Sequence, residues 1–329
     1  MARKLLSVVI PVLNEQDNIE PLYEALVPVL DSLSGRLDSE IIFTDDHSTD
    51  KSFDLLSGLA RRDRRVRVYR FSRRFGFQRS IMTAYHQARG DIVVQLDCDL
   101  QDPPELIPEF VRKWEEGYQV VYGVRRSRQE GWLITRCRAV FYALLDALSE
   151  YPLPRQAGDF RLVARPLIEE LKKIDEPYPY LRGMIAGLGF NQIGIPYDRR
   201  KRERGESKFP FRNLVTLAID GLLNTSVIPL RLATYAGFLI SALTSLAVIY
   251  YLVAALLYGR STWPSGFATI TIFILLSLSV NAVFLGIIGE YLGRTYSHVK
   301  RRPLTIIEQS IESSHSSSAD PRPDQRSDE

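Results

Sequence analysis

Cysteine is almost missing: Cys98 and Cys137 are the only two in 329 residues. That excludes a disulfide framework and fits a reducing compartment. No G-x-G-x-x-G or Walker-type loop follows the first apolar run, Leu5–Leu13, which disfavours a dinucleotide-dependent dehydrogenase or a P-loop ATPase. Nor is a secretory signal expected there, because the run is short and Pro11-Val-Leu-Asn-Glu offers no small-residue cleavage site. The net charge of +3 is too small to imply a nucleic-acid partner.

The most consequential absence is of charge. Between Leu232 and Gly259, and again between Ser261 and Gly289, there is no Asp, Glu, Lys, Arg or His. A helix needs about 20 apolar residues to cross a bilayer core. The expectation is therefore a membrane hairpin: one span over 231–259, a short turn over 260–266 carrying Trp263 and Pro264, and a second span over 267–293. Arg212 and Arg231 before the hairpin, and Lys300, Arg301 and Arg302 after it, outweigh the single Arg260 between the spans. The positive-inside rule then places both termini in the cytoplasm, with the chain multi-pass in the inner (plasma) membrane. A domain so tethered is expected to act on a lipid, or on something moving through the membrane.

Other segments follow from that division. Residues 1–209 are expected to form the soluble domain, with 210–230 an amphipathic helix (Phe211–Ile228) in the membrane interface. Trp132–Leu148 is also amphipathic, and its pattern suits core and interface equally. The basic clusters Arg61–Arg79 and Arg199–Lys208 suit anionic headgroups or phosphates. Residues 294–329 read as a cytoplasmic tail, Ser-rich and disordered from about 310. Ser241, Thr244, Ser245, Ser277, Ser279 and Asn281 would suit packing between membrane helices.

The soluble part alternates strand and helix. Leu5–Leu13, Glu40–Thr44, Val66–Phe71, Asp91–Leu96 and Tyr118–Val124 are predicted strands; Gln16–Leu33, Ser52–Arg62 and Gln78–Arg89 are predicted helices, and Pro103-Pro104 opens another. This alternation implies an α/β fold with a mostly parallel sheet and ligands at the strands' carboxyl ends. Asn14-Glu15, Asp45-Asp46 and Asp97-Cys98-Asp99 all fall at such ends. Asp97 and Asp99, two residues apart, can share a hard divalent cation, since Mg²⁺ takes one or two carboxylates plus substrate phosphates. Cys98 between them is read as a small packed residue, because hard cations prefer oxygen.

The motifs PVLNE (11–15), DDHSTD (45–50), GD (90–91), DCDLQDPPE (97–105), GVRRSR (123–128), GDFRL (158–162) and RERGESK (202–208) together resemble family-2 glycosyltransferases of GT-A fold. More narrowly, the chain resembles the polyisoprenyl-phosphate glycosyltransferases, both dolichol-phosphate mannose synthases and bacterial bactoprenol glucosyltransferases, with the paired spans matching the bacterial branch. The resemblance covers about residues 5–300. It implies that Pro11, Asn14, Glu15, Asp46 and Asp97 contact the nucleotide sugar, and that Asp97, Asp99 and Gln101 serve the metal, Mg²⁺ or Mn²⁺, and the diphosphate. It further implies that Arg125, Arg202, Ser207 and Lys208 hold phosphates, and that Asp159 and Asp99 are catalytic, Asp159 orienting the acceptor at least as much as acting as a base. A polyprenyl phosphate is already anionic at neutral pH and needs positioning more than deprotonation.

The implied activity is inverting transfer of a sugar, with UDP-glucose the leading donor, to undecaprenyl phosphate for the cell envelope. GDP-mannose and a UDP-aminosugar are alternative donors, and relatives suggest a homo-oligomer. His47 stands where the family commonly has Gly, and Phe75-Gly-Phe-Gln is bulkier than usual, so both departures bear on donor choice. Two competing readings are a processive polysaccharide synthase, which would carry a Q-x-x-R-W motif and more spans, and a non-catalytic scaffold or flippase subunit. The intact Asp97/Asp99/Gln101 and Arg202/Lys208 sets argue against the second.

Overall fold

The computed structural model of the chain describes residues 3–126, 157–177, 179–200, 266–300 and 302–312, with single helical positions between 235 and 257. In chain order the elements are β1 (Lys4–Val12), α1 (Ile19–Leu33), β2 (Leu37–Asp45), α2 (Ser52–Arg62), β3 (Val66–Phe71), α3 (Phe77–Gln87) and β4 (Ile92–Gln95). A 3₁₀ turn at Pro104–Leu106 leads into α4 (Ile107–Glu115), β5 (Val120–Arg125), β6 (Ala157–Ala164), α5 (Arg165–Lys173), α6 (Leu181–Gly187) and β7 (Gln192–Tyr197). Last come α7 (Phe267–Val299) and β8 (Ile307–Ile311).

The strands form one eight-stranded sheet in the order β7-β5-β6-β4-β1-β2-β3-β8. β1 to β4 are mutually parallel, as the strand–helix alternation predicts. β6 runs antiparallel to both β4 and β5. β1 is buried on both faces because its alternate side chains feed different layers. Leu6, Val8, Ile10 and Val12 pack with Leu22 and Leu26 of α1, Leu56 of α2 and Phe110 of α4. Val9 packs with Tyr85 of α3 and with Leu167 and Leu171 of α5. The result is a sheet between two helical layers, and strand order reverses between β1 and β4, where open α/β sheets form a crevice at their carboxyl ends.

The tail expected from 294 is not simply a tail. α7 continues to Val299, and Ile307–Ile311 returns as β8, pairing antiparallel with β3 at the sheet edge. Residues 313–329, where the rest of that tail falls, lie outside the described residues. Covering β3 removes an open edge that would otherwise invite pairing with another chain. An ionic cluster fastens the strand. Glu312 accepts from Arg67 Nη2 and Arg89 Nη2, each at 2.9 Å, and from the Tyr69 hydroxyl. Arg67 also reaches Glu40, which accepts from Ser7 Oγ and from the Arg89 backbone N–H.

Among the described residues no helix is long and apolar enough to cross a membrane, so the fold does not establish the expected pair of spans. The first span is described only at single positions, and 210–230 and Trp132–Leu148 lie outside the described residues. α7 itself is 33 residues long, and its Phe273, Ile274, Leu278, Leu285 and Leu292 are exposed. Asn281 turns its amide onto the Ser277 carbonyl of its own helix, at 2.8 Å.

Candidate functional site

Three loops meet at the carboxyl ends of β1, β2 and β4. After β1, Asn14 adopts a left-handed conformation (φ 52°). Its backbone N–H donates to Ser48 Oγ (2.9 Å) and its Oδ1 accepts from the Thr49 N–H (2.8 Å). The Glu15 N–H donates to Ser52 Oγ (2.9 Å), and Glu15 Oε2 accepts from Asn18 Nδ2 (2.6 Å). Pro11 lies in β1 opposite Thr44 of β2. The first two motifs are thus laced together by short polar side chains.

Asp46, at the end of β2, is buried, and both its oxygens are engaged. Oδ1 accepts from the Phe75 N–H (2.6 Å) and Oδ2 from the Gly76 N–H (2.9 Å). It therefore holds the 72–76 loop at the amino end of α3, where a carboxylate is favoured. Gly76 sits at φ 99°, a conformation that side chains resist. Burial raises the pKa values of Asp45 and Asp46, against the pull of their hydrogen bonds. His47 lies at φ 61°, left-handed, a conformation that the Gly implied by the family resemblance would adopt without strain, and its Nδ1 is 3.0 Å from the Phe71 carbonyl oxygen. His47→Gly should relieve backbone strain of about 1 kcal/mol and remove one hydrogen bond. The two nearly cancel, so a thermal midpoint close to wild type is expected; a large fall would show the ring to be structural.

The strongest electrostatic feature is at the end of β4. Asp97 Oδ1 is buried without a hydrogen-bond partner among the described residues. Burial, followed by the nearby Asp159, Asp102 and Asp99 carboxylates, pushes its pKa well above the ordinary range. Asp99 Oδ1 accepts from the Gln101 N–H (3.2 Å), and Leu100 between them is held left-handed at φ 58°. Such strain in a branched residue persists only where the surroundings enforce it. Cys98 is buried in the core, as its small size and the oxygen preference of hard cations suggest.

Register explains Asp159. β4 and β6 pair antiparallel with Gln95 opposite Arg161, and two more steps set Asp159 across from Asp97. Arg182 of α6 grips Asp159 with two hydrogen bonds, 3.0 and 2.8 Å, while Arg161 lies 3.5 Å away. Burial acts to raise the Asp159 pKa, but Arg182, Arg161 and Arg125 overcome it and bring the value to about 2.

Asp102, fully buried, accepts from the Tyr197 hydroxyl. It also lies 3.4 Å from Arg199 Nε and 4.0 Å from Arg125 Nη2. Arg199 bridges onward to Asp99 Oδ2 at 3.8 Å. Gly123 makes room for this cluster, since a Cβ there would fall 2.6 Å from the Tyr197 ring. Asp97, Asp99, Asp102 and Asp159 thus face Arg125, Arg161, Arg182 and Arg199. Of the expected phosphate contacts, Arg125 joins this site, whereas Arg202, Ser207 and Lys208 lie outside the described residues. Sequence reasoning missed Asp102, Arg182, Tyr197 and the use of Arg199. Only the spacing D-x-D-x-x-D hinted at any of them.

Residues 7–172 match the model of glycosyl transferase family 2. The chain belongs to this family. It is similar to the uncharacterized glycosyltransferase YkcC of Bacillus subtilis, 38% identical over 92% of this chain and 93% of that protein. It is equally similar, at 38%, to an uncharacterized glycosyltransferase, sll0501, of Synechocystis, covering 92% of this chain and 94% of the other. A prophage bactoprenol glucosyl transferase homolog of Escherichia coli is 31% identical over 92% of this chain and 98% of its own length. The protein is therefore a family-2 glycosyltransferase, and the resemblance to bactoprenol glucosyltransferases holds over nearly the whole chain.

The acidic end of β4 carries the residues expected to hold a divalent ion. Among the described residues no group of three or more His, Cys, Asp and Glu side chains could hold a metal by itself. The donor set still fits a hard cation completed by substrate oxygens, because the orphaned Asp97 Oδ1 is a buried oxygen donor and Asp99 stands two residues away.

Proposed function

We propose that this glycosyltransferase moves glucose from UDP-glucose to a polyisoprenyl phosphate at the cytoplasmic face of the inner membrane, with inversion. The observation that carries the reading is the buried Asp97 Oδ1 at the end of β4, which has no hydrogen-bond partner among the described residues, beside Asp99 with its Arg199 contact. Asp97 and Asp99 would hold Mg²⁺ or Mn²⁺ with the donor's diphosphate, with Gln101 beside them. When bound, the ion would neutralise charge on the leaving diphosphate.

The chain's own residues do the rest. Pro11, Asn14 and Glu15 line the end of β1, and Asp46 fixes the 72–76 loop beside them, so together they shape the nucleotide side of the crevice. Arg125 and Arg199 lie beside Asp102 and would meet phosphate oxygens; Arg202, Ser207 and Lys208, outside the described residues, are proposed for the same role. Asp159 has a pKa of about 2, so it is a poor proton acceptor at neutral pH and is better used to orient Arg182 and Arg161. An acceptor phosphate needs no base.

The lipid acceptor is supported by the bactoprenol glucosyl transferase relatives and by α7. At a rise of 1.5 Å per residue its 33 residues extend about 50 Å. Among the described residues, its Phe273, Ile274, Leu278, Leu285 and Leu292 are exposed apolar side chains, as a lipid-facing helix would present. The return of β8 to the sheet also fits an even number of crossings between β7 and β8, so that both ends of a hairpin share one side. Leu278→Arg, at the middle of α7, is expected to cost about 2.5–3.5 kcal/mol of membrane insertion. A membrane-extractable fraction equal to wild type would remove the spanning role.

The deciding experiment gives purified full-length protein UDP-glucose, undecaprenyl phosphate and Mg²⁺ or Mn²⁺, and follows both UDP release and the glucosylated lipid. Release that requires the lipid phosphate supports the reading. Transfer from GDP-mannose or a UDP-aminosugar instead would change the donor only, and donor turnover with no lipid product would overturn the acceptor.

A further inference from the structure

A second charged feature lies outside the carboxylate site. A cavity of about 360 Å³ is lined by Arg73, Arg79, Lys300 and Arg302, with Tyr296 and Leu304, and among the described residues no Asp or Glu lines it. The four cations come from separate parts of the chain: the loop after β3, the first turn of α3, and the segment just beyond α7. Neutral groups position several of them. Arg79 Nε donates to the Pro177 carbonyl oxygen (2.9 Å), Arg73 lies over the Phe75 ring (4.0 Å), and Lys300 over the Tyr296 ring (4.8 Å). A cation after a helix is ordinary, because the carboxyl end attracts it. That accounts for Lys300 but not for Arg73 and Arg79, which the fold brings from elsewhere. One sign of charge lining a concavity focuses potential and draws in a counter-ion.

We infer that this cavity is a phosphate-binding site separate from the carboxylate site, taking the phosphodiester of an anionic lipid headgroup where α7 ends. The four cations match a phosphate, while Tyr296 and Leu304 offer apolar surface to the glycerol end of a lipid. The lipid source rests on α7 lying in a bilayer, as proposed above; the phosphate chemistry rests on the cavity alone. Occupancy would also reach the donor side, because Arg73 belongs to the same loop whose Phe75 and Gly76 amides are held by Asp46.

The test uses full-length protein in phosphatidylcholine nanodiscs with added phosphatidylglycerol, reading retained lipid by native mass spectrometry. The variant Lys300→Gln/Arg302→Gln should bind phosphatidylglycerol roughly thirtyfold more weakly, at about 1 kcal/mol per basic residue near an anionic surface. The control Lys172→Gln/Lys173→Gln removes the same charge from α5 and should leave retention unchanged. Equal losses in both double variants would reduce the effect to general surface charge and overturn the site. A second arm titrates inorganic phosphate in detergent by ³¹P NMR. Binding there that depends on Lys300 and Arg302, without preferential lipid retention, would keep the phosphate site and assign it a soluble ligand. If neither ligand depends on those residues, the inference fails. Glycosyl transfer measured on the same samples separates this outcome from the proposed function, because a site that retains lipid in a protein that transfers no sugar to polyprenyl phosphate would stand while that function fell.

Discussion

Replacing Asp99 by Asn should reduce glycosyl transfer by roughly a hundredfold or more while leaving the fold in place. Asp99 is partly exposed at the strand end, and its one strong local contact, with the Gln101 N–H, can be kept by the amide oxygen. What Asn cannot supply is the second negative charge beside Asp97, needed for a divalent ion and balanced against Arg199. Asp97 supplies an independent check through pH. Its pKa is raised in the folded state by burial and by its carboxylate neighbours, so the native protein holds a proton that the unfolded chain releases. Without an ion, stability should therefore fall as pH rises through that raised value. An ion needs the ionised form, so its affinity should rise over the same range. Thermal midpoints across pH, in chelator and in Mn²⁺, read both slopes. Undiminished turnover of Asp99→Asn, or midpoints with no ion-dependent change in slope, would remove the metal from this site.

Much of the sheet was legible because its strands and helices announce themselves locally. Ser52–Arg62 and Val66–Phe71 match their predicted limits, since an amphipathic period and a buried run each end at polar residues. The convergence of Asn14, Asp46, Asp97 and Asp99 followed from strand–helix alternation, which fixes the end of the sheet at which loops gather. What escaped depends on contacts between distant segments. β8 reads as polar tail because an edge strand buries little, and only its pairing with β3 reveals it. Arg182 meets Asp159 because β6 and α6 fold onto one site, a meeting that no local spacing encodes. That contact bears on the chemistry, because Arg182 and Arg161 hold the Asp159 carboxylate in its ionised form. Asp46 likewise reads as a free ligand carboxylate until the amides of Phe75 and Gly76 are seen to occupy it.

The return of β8 also changes how the membrane segment can be tested. A chain ended near Ser226 would shed not only both apolar stretches but also β8, uncovering β3 and removing Glu312 from Arg67. Loss of transfer in such a truncation would mix acceptor presentation with damage to the sheet. The cost of that damage is measurable through Glu40, at the centre of the same cluster. Its side chain is 9% exposed and meets Arg67 at 2.9 Å, Ser7 Oγ and the Arg89 N–H. Glu40→Ala should cost about 3 kcal/mol, the lower end of the penalty for breaking a buried ion pair, because Arg67 keeps Glu312. At 2–4 °C per kcal/mol for a domain of this size, the thermal midpoint of the full-length protein should fall by roughly 10 °C. Glu40→Gln keeps an acceptor and should lose less. Glu312 cannot fully compensate, because it already accepts from Arg67, Arg89 and Tyr69. Burial opposes ionisation of Glu312, but those contacts hold its pKa at about 2, so its share of stability is present above the ordinary carboxylate range and is lost as pH falls toward 2. Hydrogen exchange at Ile307–Ile311 should consequently quicken in Glu40→Ala, and in wild type below about pH 4. If those amides exchange at the wild-type rate in Glu40→Ala, the cluster does not fasten β8, and its pairing with β3 alone holds the strand.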